Sequence, residues 1–284
     1  MLVAAALVPD TALLVPGVSG RHDALPGLRD AALAAVAHAV AGAASVVVVA
    51  PARQAAEPTG TLRGSLTAVG VPDALLGWPV PEVVVGDAGP AVVPAVASAV
   101  ALHLLARAGW DGPVRVVEVE RDPAAAGSAA ALAARGAALV AGAGGPLALV
   151  VVGSGSGRHG PDAPLADDER ALALDASLTA DLARADRAAR ERIASLDAGL
   201  ASALAVSGWA SWQVLLGAVG TQHVGATLLA EDVSLGAHHV AALWRVTDTP
   251  SGAAPTGVPT AVSAAGADST GAAGVADPST GTAP

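Results

Sequence analysis

The chain has 284 residues, enough for one domain with an ordinary core and a short appendage. Its 15 basic residues are all arginine and it has no cysteine, which excludes Schiff-base lysines, phosphate-loop lysines, thiol nucleophiles and disulfides. With 25 acidic residues the net charge is −10, and the sequence contains no cluster of basic residues that could bind a polyanion. We therefore expect no nucleic-acid partner.

Mean hydropathy is high, at +0.56, which raises the question of a membrane. The most apolar segment, residues 89–106, is rich in alanine and carries two prolines and His103, so we expect no membrane contact there. The opening MLVAAALVPD has no basic segment and reaches Pro9 after one short apolar run, which is typical of a core strand rather than a signal peptide. We therefore expect a cytoplasmic protein.

Short valine-rich runs alternate with alanine-rich helical segments along the first half of the chain. Strands are predicted at 2–8, 45–50, 82–86, 114–120 and 147–152, and helices at 23–41, 91–108 and 124–141. This alternation predicts a three-layer α/β fold with a largely parallel or mixed central sheet and helices on both faces. Ligands of such sheets bind beyond the carboxyl ends of the strands, which directs attention to VPDTALLVPG, APARQAAEPTG and GSGSGRHG.

The second half begins with residues 165–197, in which charged residues recur at helical spacing. Near its beginning stand Asp167, Asp168 and Glu169, and acidic residues are typical of the first turn of a helix. The segment GWASWQVLLGAVG predicts an amphipathic helix, and strands are predicted at 226–233 and 238–246. His238 and His239 are adjacent on the last strand, so they should point to opposite faces and serve structural roles. Residues 250–284 have no periodicity and predict a disordered tail behind a domain of residues 1–249.

The stretch LALVVVGSGSGRHGPDAPL is the most distinctive loop of the chain. Its glycines fit G-x-G-x-x-G, but Pro161 and Pro164 follow where a dinucleotide-binding helix would have to begin. A nucleophile elbow needs serine at the centre, where Gly155 stands. The loop either turns the chain or presents His159 and a ligand-binding backbone beside the loop of Asp10, the ligand loop being Gly153, Ser154, Gly155, Ser156 and Gly157.

The loop sequence GSGSGRH is similar to the G-T-G-G-x-S-H loop of class III extradiol ring-cleavage dioxygenases. The opening LVAAALVPDTALLVP, the segment SGWASWQVLLGAVG and the closing HHVAALWRV resemble the subunit-B-like members of that family found in actinobacteria. The resemblance covers about residues 1 to 246. It implies a ferrous site of two histidines and one glutamate that binds a catechol and dioxygen, with a further histidine that moves protons.

Carried over residue by residue, the resemblance places His159 at the acid/base histidine and Asp10 at the first metal-ligand position. The second ligand position falls near Ala52 and Arg53, and the glutamate position falls near the segment from Trp209 to Trp212, where no carboxylate stands. One carboxylate and one histidine do not make a two-histidine-one-carboxylate triad. The resemblance thus implies Fe(II), whereas the residues predict that most of its ligands are lost.

Two functions follow from these observations. The first is a small-molecule enzyme of the extradiol dioxygenase type, with a metal other than iron if Asp10 and waters hold it, since such a site suits a harder ion. The second is a non-catalytic descendant that keeps the pocket or the surface for a small molecule or a partner protein. The missing ligands favour the second.

Overall fold

The structure, a computed structural model, describes residues 1–160, 163 and 165–247. Its strands are β1 (Leu2–Val8), β2 (Ser45–Ala52), β3 (Gly60–Arg63), β4 (Glu82–Val85), β5 (Ala91–Val92), β6 (Val114–Glu120), β7 (Leu147–Val152), β8 (His223–Asp232) and β9 (His239–Thr247). Its helices are α1 (Pro26–Val40), α2 (Val96–Arg107), α3 (Ala129–Ala141), α4 (Arg170–Arg184), α5 (Arg187–Ala194), α6 (Ala198–Ala203) and α7 (Trp209–Val219).

The main sheet has six strands in the order β6-β2-β7-β1-β9-β8. The first four are parallel to one another, β9 runs antiparallel to β1, and β8 runs antiparallel to β9. The buried valine runs of β2 and β7 suit strands that are covered on both faces. The sheet is therefore mixed, as the sequence predicts.

Alternating side chains of the strands divide the core between the two faces of the sheet. Ala4, Ala6 and Val8 of β1 pack in the cluster that contains the buried side of α1 and α2. Ala5 and Leu7 of the same strand pack in the other cluster, with α3, α4, α5 and α7. Helices on both faces of one sheet make the three layers of an α/β fold, which confirms the predicted fold class.

Several element bounds differ from the sequence prediction, such as α3, which is predicted from residue 124 and begins at Ala129, and two differences concern a second sheet. The strand predicted at 82–86 is β4, which belongs to a separate three-stranded sheet of order β4-β3-β5 rather than to the parallel sheet. The helix predicted from residue 91 begins at Val96, because Ala91–Val92 forms β5 beside β3 and Pro94 stands between the two elements. The pattern of apolar residues does not distinguish these short strands from a helix start.

The predicted disordered tail, residues 250–284, and the two prolines of the glycine loop, Pro161 and Pro164, lie outside the described residues. Among the helices that the structure does describe, none combines the length and the apolar character needed to cross a bilayer.

Candidate functional site

A pocket of about 1060 Å³ opens at the carboxyl edge of the main sheet. Each of the four parallel strands sends a residue to it: Asp10 follows β1, Arg53 follows β2, Glu120 ends β6, and Ser154 follows β7. The first residue of β9, His239, joins them because β9 is antiparallel to β1 and begins at that edge. The three loops that the sequence singles out therefore do meet in one concavity.

A chain of hydrogen bonds links three of these side chains. The Ser154 hydroxyl donates to Asp10 Oδ1 over 2.6 Å, and the ring Nδ1 of His239 lies 2.9 Å from the same hydroxyl oxygen. A carboxylate cannot donate, so the single hydroxyl proton is committed to Asp10 and the His239 Nδ1 carries the proton of the second bond. His239 is 5% exposed, and burial lowers the pKa of its imidazole, which favours the neutral ring.

Arg121 holds the other side of the Asp10 carboxylate. Its guanidinium lies 2.9 Å from Asp10 Oδ2, and its own side chain is 62% exposed at the rim. The rim also carries Arg53, Glu120 and Asp122, so both signs of charge surround the opening. Asp122 accepts hydrogen bonds from Ser202 and from the Ala124 amide, which lower the pKa of this carboxyl. The opening of the pocket is therefore polar, but its charges do not strongly favour the binding of either an anion or a cation.

The backbone amides of the glycine loop are all engaged within the protein. At 2.9 to 3.0 Å, Gly153 donates to the Val8 carbonyl, Ser154 to Ser207 Oγ, Gly155 to the His238 carbonyl, Ser156 to Asp175 Oδ1 and Gly157 to the Leu204 carbonyl. The expectation that this loop offers backbone amides to a ligand is therefore wrong. These bonds fasten the loop to β1, β9, α4 and the segment before α7, so it forms a rigid wall of the pocket.

His159 lies behind that wall. Its Nδ1 faces Asp175 Oδ2 at 3.2 Å, and its side chain is 16% exposed. Asp175, on α4, is 1% exposed; it also accepts from the Ser156 hydroxyl, and its Oδ1 lies 3.5 Å from Nδ1 of the buried His238. Among the described residues that line the pocket, Asp10 is present and His159 is absent, so the structure does not bring these two predicted site residues together.

Gly155 separates the two groups of side chains. A Cβ at this position would overlap His238 Nδ1 and would lie 2.8 Å from Asp175 Oδ1. At Gly153, a Cβ would overlap the backbone of Gly208, just before α7. The ligand-binding backbone that the sequence predicts here would need open space beside the glycines. The space that they leave is instead filled by the protein, since the loop packs directly on β9 and α7.

The pocket does not fit ferrous iron. Asp10 is already paired with Arg121 and Ser154, and Arg53, at the second predicted ligand position, is a cation that would repel a metal. The segment Trp209–Val219 is the buried helix α7 and contributes no lining residue. Across the part of the chain that the structure describes, no three His, Asp or Glu side chains are grouped so as to hold a metal ion.

No family model and no curated protein matches the chain. One solved structure, the "Crystal structure of uncharacterized protein JW3007 from Escherichia coli K12", is similar with a TM-score of 0.49 and 14% sequence identity. The match covers 86% of this chain and 99% of that chain. We draw nothing about function from this likeness.

Sequence reasoning missed two important side chains. His239 was expected to be structural, because a strand pattern does not reveal at which edge of the sheet the strand begins. Asp175 looked like one of many charges on a predicted helix, yet it is buried at the centre of a cluster. A signal was available for it: the helical positions Ala171, Asp175, Leu178 and Leu182 follow the spacing of one buried face.

Proposed function

We propose that this protein binds a small, polar organic molecule in the pocket at the carboxyl edge of the sheet, and that it does so without iron. The observation that carries the proposal is the hydrogen-bonded series Asp10–Ser154–His239, which places an imidazole, a hydroxyl and a carboxylate on one concave surface. A few convergent polar groups in one concave pocket are typical of small-molecule sites.

The size and lining of the pocket support a small molecule rather than a protein partner. Its volume, about 1060 Å³, lies just above the range of about 300–1,000 Å³ that is typical of pockets for drug-sized ligands. Apolar side chains line it beside the polar ones, notably Leu13, Leu165 and Leu235. The mixed charges of Arg53, Arg121, Glu120 and Asp122 favour a neutral or zwitterionic molecule over a polyanion.

Ring cleavage, the activity that the family resemblance implies, is not what we propose, because that chemistry needs three metal ligands on one face. The absence of a nucleic-acid partner and the cytoplasmic location remain predictions from the sequence.

The proposal is tested by blocking the pocket with one side chain. Ser202 lines the pocket from α6, whereas its neighbour Ala203 is exposed and does not line it. Ser202→Phe should fill part of the volume, and Ala203→Phe is the matched control on the same helix. A library of small polar organic molecules is screened against the wild type by the shift in melting temperature.

We expect compounds that stabilise the wild type and Ala203→Phe, and that lose this effect with Ser202→Phe. A ligand present at about 100 times its Kd should raise the stability by about 2.7 kcal/mol. Compounds that stabilise all three proteins equally bind elsewhere and contradict the proposal. A library that stabilises none of them also contradicts it.

A further inference from the structure

The imidazole of His239 has one engaged and one available ring nitrogen. Its Nδ1 is bonded to Ser154. Its Nε2 makes no hydrogen bond in the described part of the chain, and it is not among the buried polar atoms that are closed off from solvent. Since His239 lines the pocket, the open nitrogen is the one that a bound molecule can reach.

The surrounding bonds fix which tautomer His239 adopts. Ser154 gives its proton to Asp10, so Nδ1 of His239 must be the donor and Nε2 carries the lone pair. If Nε2 gains a proton, the positive charge on the ring is stabilised through Ser154 by the Asp10 carboxylate. The same arrangement, an imidazole oriented by hydrogen bonds through its rear nitrogen, is what a general base requires.

The surroundings of the His239 ring both lower and raise its pKa. Burial lowers the pKa of His239 most strongly, and the adjacent His238 lowers it further. Asp10 and Asp232, the latter paired with His239 across β8 and β9, act in the opposite sense. The ring is therefore neutral at neutral pH and ready to accept a proton.

We propose that His239 is the proton-transfer residue of the pocket and that the bound molecule carries an acidic O–H or N–H group. In the step, that O–H or N–H bond breaks, its electron pair stays on the ligand, and the proton moves to Nε2. The reverse step returns the proton, so no oxidant, reductant or metal is needed. Ser154 and Asp10 are positioning residues. This inference rests on the proposed function, because it assigns the chemistry of the same pocket.

The test measures the reaction of each histidine with diethyl pyrocarbonate, which attacks a neutral, accessible ring nitrogen. The full-length folded protein is treated for increasing times, and modified peptides are quantified by mass spectrometry. His103 is a matched internal control: it is 1% exposed, burial lowers its pKa too, and it lies outside the pocket. Its Nε2 is bonded to the Gly64 carbonyl and its Nδ1 is buried.

We expect His239 to react and His103 to remain unmodified. Between neutral pH and a pH one unit below 6.5, the rate at His239 should fall by less than the roughly tenfold loss of an ordinary imidazole. Ser202→Phe should suppress the reaction, with Ala237→Phe as a second pocket variant if the first does not fold. Ser154→Ala should shift the ring towards the other tautomer, which long-range ¹H–¹⁵N NMR detects.

An unmodified His239, a rate unaffected by both pocket variants, or a tautomer unchanged in Ser154→Ala overturns the proton-transfer role. Compounds that bind in the pocket while His239 stays unreactive leave the proposed function intact and overturn this inference alone. A reactive His239 in a pocket that binds none of the library overturns the proposed function instead.

Discussion

Replacing Gly155 by alanine should be one of the most damaging single-methyl additions in the protein. The new Cβ would overlap His238 Nδ1 and press on Asp175 Oδ1 at 2.8 Å, and both partners are about 1% exposed and cannot move into solvent. Overpacking of this kind costs about 1–3 kcal/mol. Displacing the Asp175 carboxylate would also weaken its bonds to Ser156, so we expect a loss of about 3 kcal/mol.

Urea denaturation followed by circular dichroism measures this loss, which corresponds to a melting temperature lower by about 9 °C. Gly144→Ala is the control, since nothing lies within 4 Å of its Cβ and its backbone is not left-handed. The double variant Gly155→Ala/His238→Ala should lose less than the sum of the two single variants, because the clash is absent. A Gly155→Ala protein within about 0.5 kcal/mol of the wild type would refute the close packing described above.

Three further outcomes are expected. Protein purified anaerobically with ferrous iron should retain far less than one equivalent by metal analysis, because the pocket lacks the ligands; stoichiometric iron or cleavage of simple catechols would contradict this. Burial lowers the pKa of His103 in the folded protein, so the unfolded chain takes up a proton at this histidine more readily than the folded protein does. The free energy of unfolding is therefore unaffected by this histidine above the unfolded pKa of about 6.5, and it decreases as the pH falls below that value. His103→Gln should therefore flatten the decline of melting temperature between about pH 7.5 and pH 5.5, and an unchanged slope would exclude this cause. Cutting the chain after Asp248 should leave the melting temperature unchanged, since the composition of residues 250–284 is too poor in large apolar side chains to offset ordering; a drop of several degrees would show that they pack on the domain.

The sequence was informative about the fold where elements are long and buried on both sides. The strands at 2–8, 114–120 and 147–152 agree with β1, β6 and β7, because runs of valine and leucine bounded by glycine and proline have few alternative structures. The sequence did not predict the two-residue strand β5, because its residues fall within a segment predicted as a helix. Its strand character comes from pairing with β3, a long-range contact that no local pattern contains.

The site was only partly predictable. Asp10 and Ser154 could be placed because both follow a parallel strand, and the carboxyl ends of such strands share one edge. Placing His239 in the pocket requires knowledge of the direction of β9. Placing His159 requires knowledge of the position of α4, because its imidazole contacts Asp175 of that helix behind the loop. Both facts depend on tertiary packing, so residue type and spacing alone did not show which histidine lines the pocket.

The pairing of the glycine loop with the start of β9 means that chain length, and not only residue identity, selects the histidine of the pocket. Gly155 donates to the His238 carbonyl and His238 donates to the Ser156 carbonyl, which locks this register. Neighbouring residues of an extended segment point to opposite sides. If the turn that precedes His238 were one residue shorter and the strand shifted by one position, His239 would take the place of His238 beside Asp175, and Val240 would face Ser154, so the pocket would lose this imidazole.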